Sequence, residues 1–343
     1  MAIEFEKELL YVRILDSTRD FQENLLPFER RVDPLTRQAS IVCIAPFRGR
    51  VSKPDLSGLI ERSLAVGCPF CPPAIDKLAM KFPPDFIPEG RIHLGESCVF
   101  PQALPLAPYG AVTVLSSQHF IGLPDFAEGV LTNGFSVCQI YLRRVSQYDP
   151  RAKYHSILWN YMPPSGGSQI HPHLQPIADY APDNSLRELL EASQLYYQSN
   201  GTNFWSDLIA KEIELRERYI GTIGHVHWLS SFAPKVPRGI DIIAIFQGKS
   251  SLLDLSEQDL GHFSQGLRRV FRYMSDQDLY SFNLCIYSGI KGEDYFWTHA
   301  RIVPRTTGAL VDNSDVSAFQ VLLKRPFSLT PPEDICKELR EYF

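Results

Sequence analysis

The sequence predicts an α+β protein made of two related halves, and three observations lead there. The first is a rhythm of strand, helix and hairpin that occurs twice, ending once at His171-Pro172-His173 and again at His299-Ala300-Arg301. The second is the content of 26 prolines and 12% aromatic residues, which favours many short elements joined by ordered turns. The third is bulk composition. With 44% hydrophobic and 21% charged residues over 343 positions, the chain can bury a sizeable core as one large domain or two ordinary ones. The halves are expected at residues 1–205 and 206–343, each an antiparallel sheet flanked by helices.

Each element has its own local signal. Asp33-Pro34-Leu35-Thr36 is a hairpin turn, leading into the apolar strand Ile41–Ala45, and Pro46-Phe47-Arg48-Gly49-Arg50 turns the chain and leaves a basic cluster with Lys53. A proline-rich loop carries Cys68-Pro69-Phe70-Cys71. Among the apolar stretches between Arg91 and Gln118, Gly110–Leu115 is the best strand, and Phe126–Val145 is expected to end in a helix. Ser156–Tyr161 and His171–Asp179 read as hairpin partners around a small-residue turn. Apolar residues at helical spacing predict helices over Ser185–Gln198, Leu208–Tyr219 and Gln258–Met274. His225-Val226-His227-Trp228 leads into a strand at Ile240–Phe246, and Phe282–Tyr287 pairs with Phe296–Val303.

Charge and cysteine usage narrow the class. A formal charge of −5 argues against nonspecific nucleic-acid binding through a basic surface, although a local basic cluster can still grip a small anion. The start Met-Ala-Ile-Glu-Phe-Glu-Lys lacks the charged-then-apolar order of a signal peptide, and no apolar run is long enough to span a membrane. Seven unevenly spaced cysteines make a poor disulfide framework and fit reduced thiols in a cytoplasmic setting.

The segment Ser165 to Gln175 carries the chemistry. In extended backbone, residues two apart face one side, so His171 and His173 can line one pocket with Pro172 stiffening the chain between them. Gly166 and Gly167 allow close backbone approach, and with Ser168 they can offer N–H and hydroxyl donors to an anion. An imidazole beside such a cradle can attack phosphorus and carry a nucleotidyl group; two satisfied structural histidines are the plainer alternative. Cys68 and Cys71 have the spacing of a metal knuckle or a redox pair. Their proline-rich loop suits the knuckle, and His119 and His171 are candidates for the remaining ligands.

Taken in order, these segments resemble the galactose-1-phosphate uridylyltransferase family of the histidine-triad superfamily. The likeness runs from about residue 30 to 305, through Asp33-Pro34-Leu35-Thr36, Pro46-Phe47-Arg48, Cys68-Pro69-Phe70-Cys71, the stretch from Phe100 to His119, Asn160, Ser168 to Gln175, His225 to Pro234 and Trp297 to Pro304. It implies a histidine-triad-like fold with a structural zinc held by Cys68, Cys71, His119 and His171. It also implies that His173 is the nucleophile in a ping-pong transfer through a covalent nucleotidyl-histidine. Ser168, Gln175 and Asn160 would stabilise the phosphoryl oxygens beside Gly166 and Gly167, and Arg48 and Arg50 would grip a phosphate. The implied partners are a nucleotide sugar and a sugar phosphate or phosphate, and because the family often forms dimers, a homodimer is expected.

The chain departs from the family in three places. Pro101-Gln102-Ala103-Leu104 stands where an Asn-Asp pair helps hold the nucleoside, so the base is open. His299-Ala300-Arg301 replaces a second His-x-His, which argues against a second metal and leaves Arg301 to meet a phosphate. Leu174 makes the segment more like that of dinucleoside polyphosphate phosphorylases. Gln175 cannot act as an acid or base, which favours transfer over hydrolysis. An NDP-sugar or dinucleoside polyphosphate phosphorylase is therefore the alternative activity, and a non-catalytic nucleotide-binding zinc protein the alternative class.

Overall fold

The computed structural model describes residues 3–44, 53–237, 239–308 and 313–343. Arg48 and Arg50, the expected phosphate grip, lie outside the described residues. In chain order the first half comprises β1 (Lys7–Asp16), β2 (Gln22–Val32), β3 (Ala39–Cys43), α1 (Ser57–Val66), α2 (Ala74–Leu78), β4 (Ile92–Leu94), β5 (Ser97–Pro101), β6 (Tyr109–Val114), α3 (Glu128–Tyr148), β7 (Tyr154–Tyr161), β8 (His173–Asp179) and α4 (Asn184–Asn200). Then come α5 (Phe204–Leu215), β9 (Tyr219–Ile223), β10 (Val226–Ser230), β11 (Ile242–Phe246), α6 (Glu257–Asp276), β12 (Phe282–Tyr287) and β13 (His299–Pro304). The chain closes with β14 (Thr307–Gly308), β15 (Asn313–Ser314), α7 (Ala318–Val321), β16 (Phe327–Ser328) and α8 (Pro332–Leu339). The fold is α+β, and the expected boundary at 205/206 falls near the start of α5.

Ten strands form one sheet in the order β4-β5-β6-β8-β7-β12-β13-β11-β10-β9. Read from the middle outward, the second half repeats the first: β12 stands for β7, β13 for β8, β11 for β6. The halves meet where β7 and β12 pair antiparallel, with Asn160 opposite Asn283 and Tyr161 opposite Phe282. A second sheet, β1-β2-β3-β16, is tied on by Arg31, which donates to Glu333 at 2.8 Å, and by Ser40, which donates to the Pro234 carbonyl at 2.6 Å.

Strand alternation divides the core. Trp159, Tyr161, Leu174, Phe282, Ala300 and Ile302 face α3 and α6, and Leu131, Phe135, Cys138, Leu142 and Val145 make the buried stripe of α3 at the spacing of an amphipathic helix. A capping box starts α6: the Asp259 N–H donates to Ser256 Oγ at 3.1 Å and the Ser256 N–H to Asp259 Oδ2 at 2.8 Å. The opposite face is covered differently in the two halves. In the second half α4 and α5 bury it, with Leu186, Leu190, Trp205 and Leu208 packed on Leu229 and Ile245. In the first half a small cluster of Ile75, Cys98, Phe100, Val112 and Val114 carries Phe70, and His173, opposite Val114 in the pairing of β6 with β8, lies with Gln175 and Asn160 on this same face.

The helix expected over Leu208–Tyr219 starts earlier and stops sooner. Asn203 caps it by accepting from the Trp205 and Ser206 N–H groups, and Arg216 ends it with a left-handed φ of 56°, after which Tyr219 enters β9. At Gly266 in α6, a Cβ would lie 2.2 Å from the Trp228 ring. Gly266→Ala is therefore expected to destabilise the protein by about 1–3 kcal/mol through overpacking. Gly129→Ala in α3, where a Cβ meets nothing within 4 Å, should gain about 0.5 kcal/mol. Urea titration of the two variants checks the contrast, which disappears if both move the midpoint the same way.

Candidate active site and metal centre

The loop after α1 carries Cys68 and Cys71 onto the end of the first-half sheet, where His119 follows β6 and His171 precedes β8. One ligand atom from each of the four lies within 4.8 Å of all the others. Cys71 Sγ is 3.3 Å from His119 Nδ1 and 3.5 Å from His171 Nδ1, and Cys68 Sγ is 3.7 Å from His171 Nδ1. A tetrahedral ion at zinc-like bond lengths needs S···N edges of about 3.6 Å, so the donor set fits one metal ion.

Both imidazoles are held in the tautomer that leaves Nδ1 free to bind. His171 donates from Nε2 to the Ser116 carbonyl at 2.8 Å. The Ser63 hydroxyl gives its proton to the Ile60 carbonyl at 2.7 Å, so it accepts from His119 Nε2, also at 2.7 Å. Such outer partners fix ring orientation and ligand basicity. Burial pushes His171 down to about 4 and lowers His119, so both rings are neutral. Burial, with the neighbouring Cys68 charge, pushes the Cys71 thiol up to about 11. The Cys71 thiol therefore stays protonated until a cation replaces its proton.

The next residues form the candidate active site. Only His173 joins β8, and its Nδ1–H donates to the backbone carbonyl of His171 at 2.8 Å. That bond leaves the Nε2 lone pair unprotonated, and burial lowers the imidazole's affinity for a second proton. Phe70, between the two cysteines, packs edge-on against His173 with centroids 5.3 Å apart. The loop between the two cysteines thus braces the His173 ring directly.

The turn entering this segment is tightly constrained. Met162 and Gly166 have left-handed φ values of 69° and 87°, and a Cβ on Gly167 would lie 2.7 Å from the Asn160 carbonyl, so only glycine fits there. Ser168 is exposed in this turn. Gln175 Oε1 accepts from Asn160 Nδ2 at 3.3 Å, and Gln175 Nε2 donates to Gln102 Oε1 at 3.4 Å. Asn283 donates from Nδ2 to Asn160 Oδ1 at 2.6 Å and to the Ser165 carbonyl at 2.9 Å. Its own Oδ1 accepts from Arg305 Nη1 at 2.8 Å.

His173, Gln175, Asn160 and the glycine turn therefore come together, and Arg301 does not join them. It lies on β13, three strand spacings or about 14 Å across the sheet from β8, with both arms on Asp241 at 2.6 Å. His299 repeats the His173 arrangement, donating from Nδ1 to the Trp297 carbonyl at 3.0 Å. However, Trp205 is stacked on its ring at 3.9 Å. Both line a separate small cavity of about 50 Å³ with Lys235 and Tyr287. Asn283, Arg305, Ser63 and Phe70 escaped the sequence analysis. Asn283 alone carried a signal, as an amide in an otherwise apolar strand.

Comparison with known proteins follows the same lines. No family model matches the chain. An uncharacterized protein of Archaeoglobus fulgidus is 29% identical over 99% of this chain and 98% of its own length. The fold matches an ADP-glucose phosphorylase from Arabidopsis thaliana, solved with bound ADP-glucose, at a TM-score of 0.70 and 18% identity, covering 92% of this chain and 99% of that one. It matches a GalT-like protein from the same plant at 0.69 and 19% identity, covering 92% and 98%. A uridylyltransferase matches at 0.65 and 16% identity, covering 91% and 98%. The chain thus has the fold that the motif resemblance implied. Among the described residues no helix is long and apolar enough to cross a membrane.

Ser63→Ala removes the acceptor behind His119 while leaving all four ligands in place. It is expected to weaken metal binding about 10–100-fold, measured by competition with a chromophoric chelator. An unchanged affinity would show that Ser63 does not support the ligand.

Proposed function

We propose that the chain is a nucleotidyltransferase of the galactose-1-phosphate uridylyltransferase family, acting by ping-pong transfer through His173. The observation that carries this is the His173 ring: neutral, buried at the mouth of the glycine turn, with Nδ1 committed to the His171 carbonyl at 2.8 Å and Nε2 left as the nucleophile. Nε2 attacks the α-phosphorus of a nucleotide sugar. The N–P bond forms as the P–O bond to the departing sugar phosphate breaks, and the negative charge leaves with that group. An oxygen of a second phosphate then attacks the same phosphorus and releases His173. Amide N–H groups of Gln175 and Asn160, with the Ser168 hydroxyl, would stabilise the oxygens of the five-coordinate phosphorus; such donors contribute on the order of 10²–10³ in rate each.

The metal in this proposal is zinc, because two thiolates and two imidazoles in a closed tetrahedron suit it. With all four positions filled by protein it would supply rigidity rather than catalysis: Cys71 and His171 would fix Phe70 and the carbonyl that orients His173. The seven cysteines are unpaired, in keeping with a reducing cytoplasmic compartment. The two halves are proposed to divide near the start of α5, and a homodimer belongs to the same proposal.

A second activity, phosphorolysis of a nucleotide sugar, uses the same intermediate with inorganic phosphate as acceptor. It is favoured by the fold shared with the ADP-glucose phosphorylase, and Leu174, which resembles the segment of dinucleoside polyphosphate phosphorylases, extends the same alternative to a dinucleoside polyphosphate substrate.

Incubation with a panel of nucleotide sugars is expected to give an acid-labile adduct on the wild-type protein, its mass naming the nucleotide. His173→Asn should give none while keeping its melting curve. Discharge of the isolated adduct by a hexose 1-phosphate, but not by inorganic phosphate, identifies the transferase, and the reverse identifies the phosphorylase. Absence of any adduct across the panel refutes covalent transfer.

A further inference from the structure

We propose that Arg305, acting through Asn283 and Asn160, is a positioning residue that sets which end of the Gln175 amide faces the reacting phosphoryl group. The inference rests on the nucleotidyl-transfer proposal for its consequence, but the relay itself rests on hydrogen-bond polarity. A guanidinium can only donate and a backbone carbonyl can only accept, whereas a side-chain amide does either, depending on how it is turned. A chain of amides therefore keeps one direction only if its end is fixed by a group that cannot reverse.

Arg305 is such an end. Its Nε and Nη2 are held by Asp315 at 2.9 and 2.8 Å, and Asp315 also accepts from the Thr306 N–H at 3.0 Å. With 17% of its side chain exposed and its partner at 8%, the pair is largely withdrawn from water. The remaining arm donates to Asn283 Oδ1 at 2.8 Å. Asn283 must then turn its Nδ2 the other way, where two acceptors wait: Asn160 Oδ1 at 2.6 Å and the Ser165 carbonyl at 2.9 Å. Turning Asn283 over would set donor against donor at Arg305 and acceptor against acceptor at Ser165. Its orientation is thus enforced from both sides.

The constraint passes along the chain. Asn160, giving its oxygen to Asn283, has only Nδ2 left for Gln175 Oε1, at 3.3 Å. Gln175 then turns Nε2 outward, where Gln102 Oε1 takes one N–H at 3.4 Å. The second N–H is left to donate to a phosphoryl oxygen. With the opposite polarity Gln175 would face a phosphate with its own oxygen and repel it. Arg305 and Asn283 belong to the second half of the sheet, so that half would control the donor that the first half uses.

Asn283→Asp tests the relay. The carboxylate keeps its bond from Arg305 but offers only acceptors to Asn160, which must turn over and reverse Gln175 in turn. The orientation is read without turnover from the side-chain NH₂ resonances of Gln175 in ¹⁵N-glutamine-labelled protein, identified by their loss in Gln175→Ala. They are expected to move in Asn283→Asp and to stay at their wild-type positions in Arg305→Lys, which still donates. In single-turnover reactions with ADP-glucose, Asn283→Asp should slow adduct formation about 100-fold with half-saturation nearly unchanged. In a Gln175→Ala background the same change should add little, because no amide remains to be turned. Gln175 resonances that stay in place in Asn283→Asp overturn the relay, whatever the catalytic outcome. So does a full additional loss in the Gln175→Ala background, which marks Asn283 as merely structural. If the resonances move as expected but no nucleotide sugar gives an adduct on the wild-type protein, the relay stands and nucleotidyl transfer fails.

Discussion

The antiparallel pairing of β7 with β12 is the constraint on which the rest of the structure depends. It makes one ten-stranded sheet from two five-stranded ones, and it is held from below by aromatic packing. Trp159 meets Phe282 at 5.0 Å, Tyr161 lies on Phe282 at 5.2 Å, and Phe126 and Phe271 close the cluster. Fully burying side chains of this size contributes about 1.5–3 kcal/mol each. Because strand side chains alternate, a slip of one residue would send every one of these rings to the other face. The register that buries Trp159 and Phe282 is therefore the register that places Asn160 opposite Asn283 on the other face of the sheet. Core packing aims the polar pair without touching it.

The metal centre and the nucleophile candidate are joined just as closely. His171 and His173 sit two residues apart, yet the chain bends at His171 and enters β8 only at His173, so one ring turns into the cluster of thiols and the other packs beside Phe70 on the sheet face. Their coupling is a single backbone bond: the carbonyl of the ligand residue accepts from the ring of the other. Anchoring the His171 side chain anchors that carbonyl, and the carbonyl decides which nitrogen of His173 carries the proton. Phe70 repeats the link through packing, since it stands between the two cysteines and leans on both histidines. An ion bound at this place would act on His173 through orientation, with no need to touch a substrate.

Much of this was legible in the sequence where one residue type has one physical meaning. Phe282–Tyr287 alternates and forms a strand with those bounds; α4 and α6 follow their apolar spacing, while the stretch expected only to end in a helix is helical almost throughout, as α3; and the cysteine and histidine positions converge on one cluster. The misses have physical causes. The ribbon of β1 and β2 was invisible because Leu9, Tyr11, Val12, Leu15 and Leu25 remain exposed, so no buried face imposes an alternating pattern. The bounds of α5 were displaced because the Asn203 cap and the Arg216 stop carry more weight than apolar spacing. Ser63 and the Ser116 carbonyl support the metal ligands through ordinary residues that have no motif. Arg305 and Asp315 lie ten residues apart and far from Asn160 in sequence, so their relation to it exists only once the sheet is formed.

The two halves also show how a repeated scaffold can carry two different surroundings for matching histidines. His173 and His299 occupy matching strand starts and make the same bond to the carbonyl two residues before them. Their surroundings then diverge. Gln175 stands opposite Leu158 as Arg301 stands opposite Cys285, but Gln175 keeps a neutral amide bonded to Asn160 while Arg301 is bound by Asp241, which is fully buried. Phe70 meets the His173 ring edge-on at 5.3 Å, whereas Trp205 lies flat on His299 at 3.9 Å. The difference comes from what covers the sheet: the short loop of Cys68 and Cys71 over the first half, and the helices α4 and α5 over the second. The helix pair buries apolar surface against Leu229 and Ile245 and stabilises its half. The loop covers less, and an ion held by the four candidate ligands would supply rigidity there. On that account the second half is free to serve as a frame, and the polar side chains it extends across the β7–β12 pair are its contribution to the first.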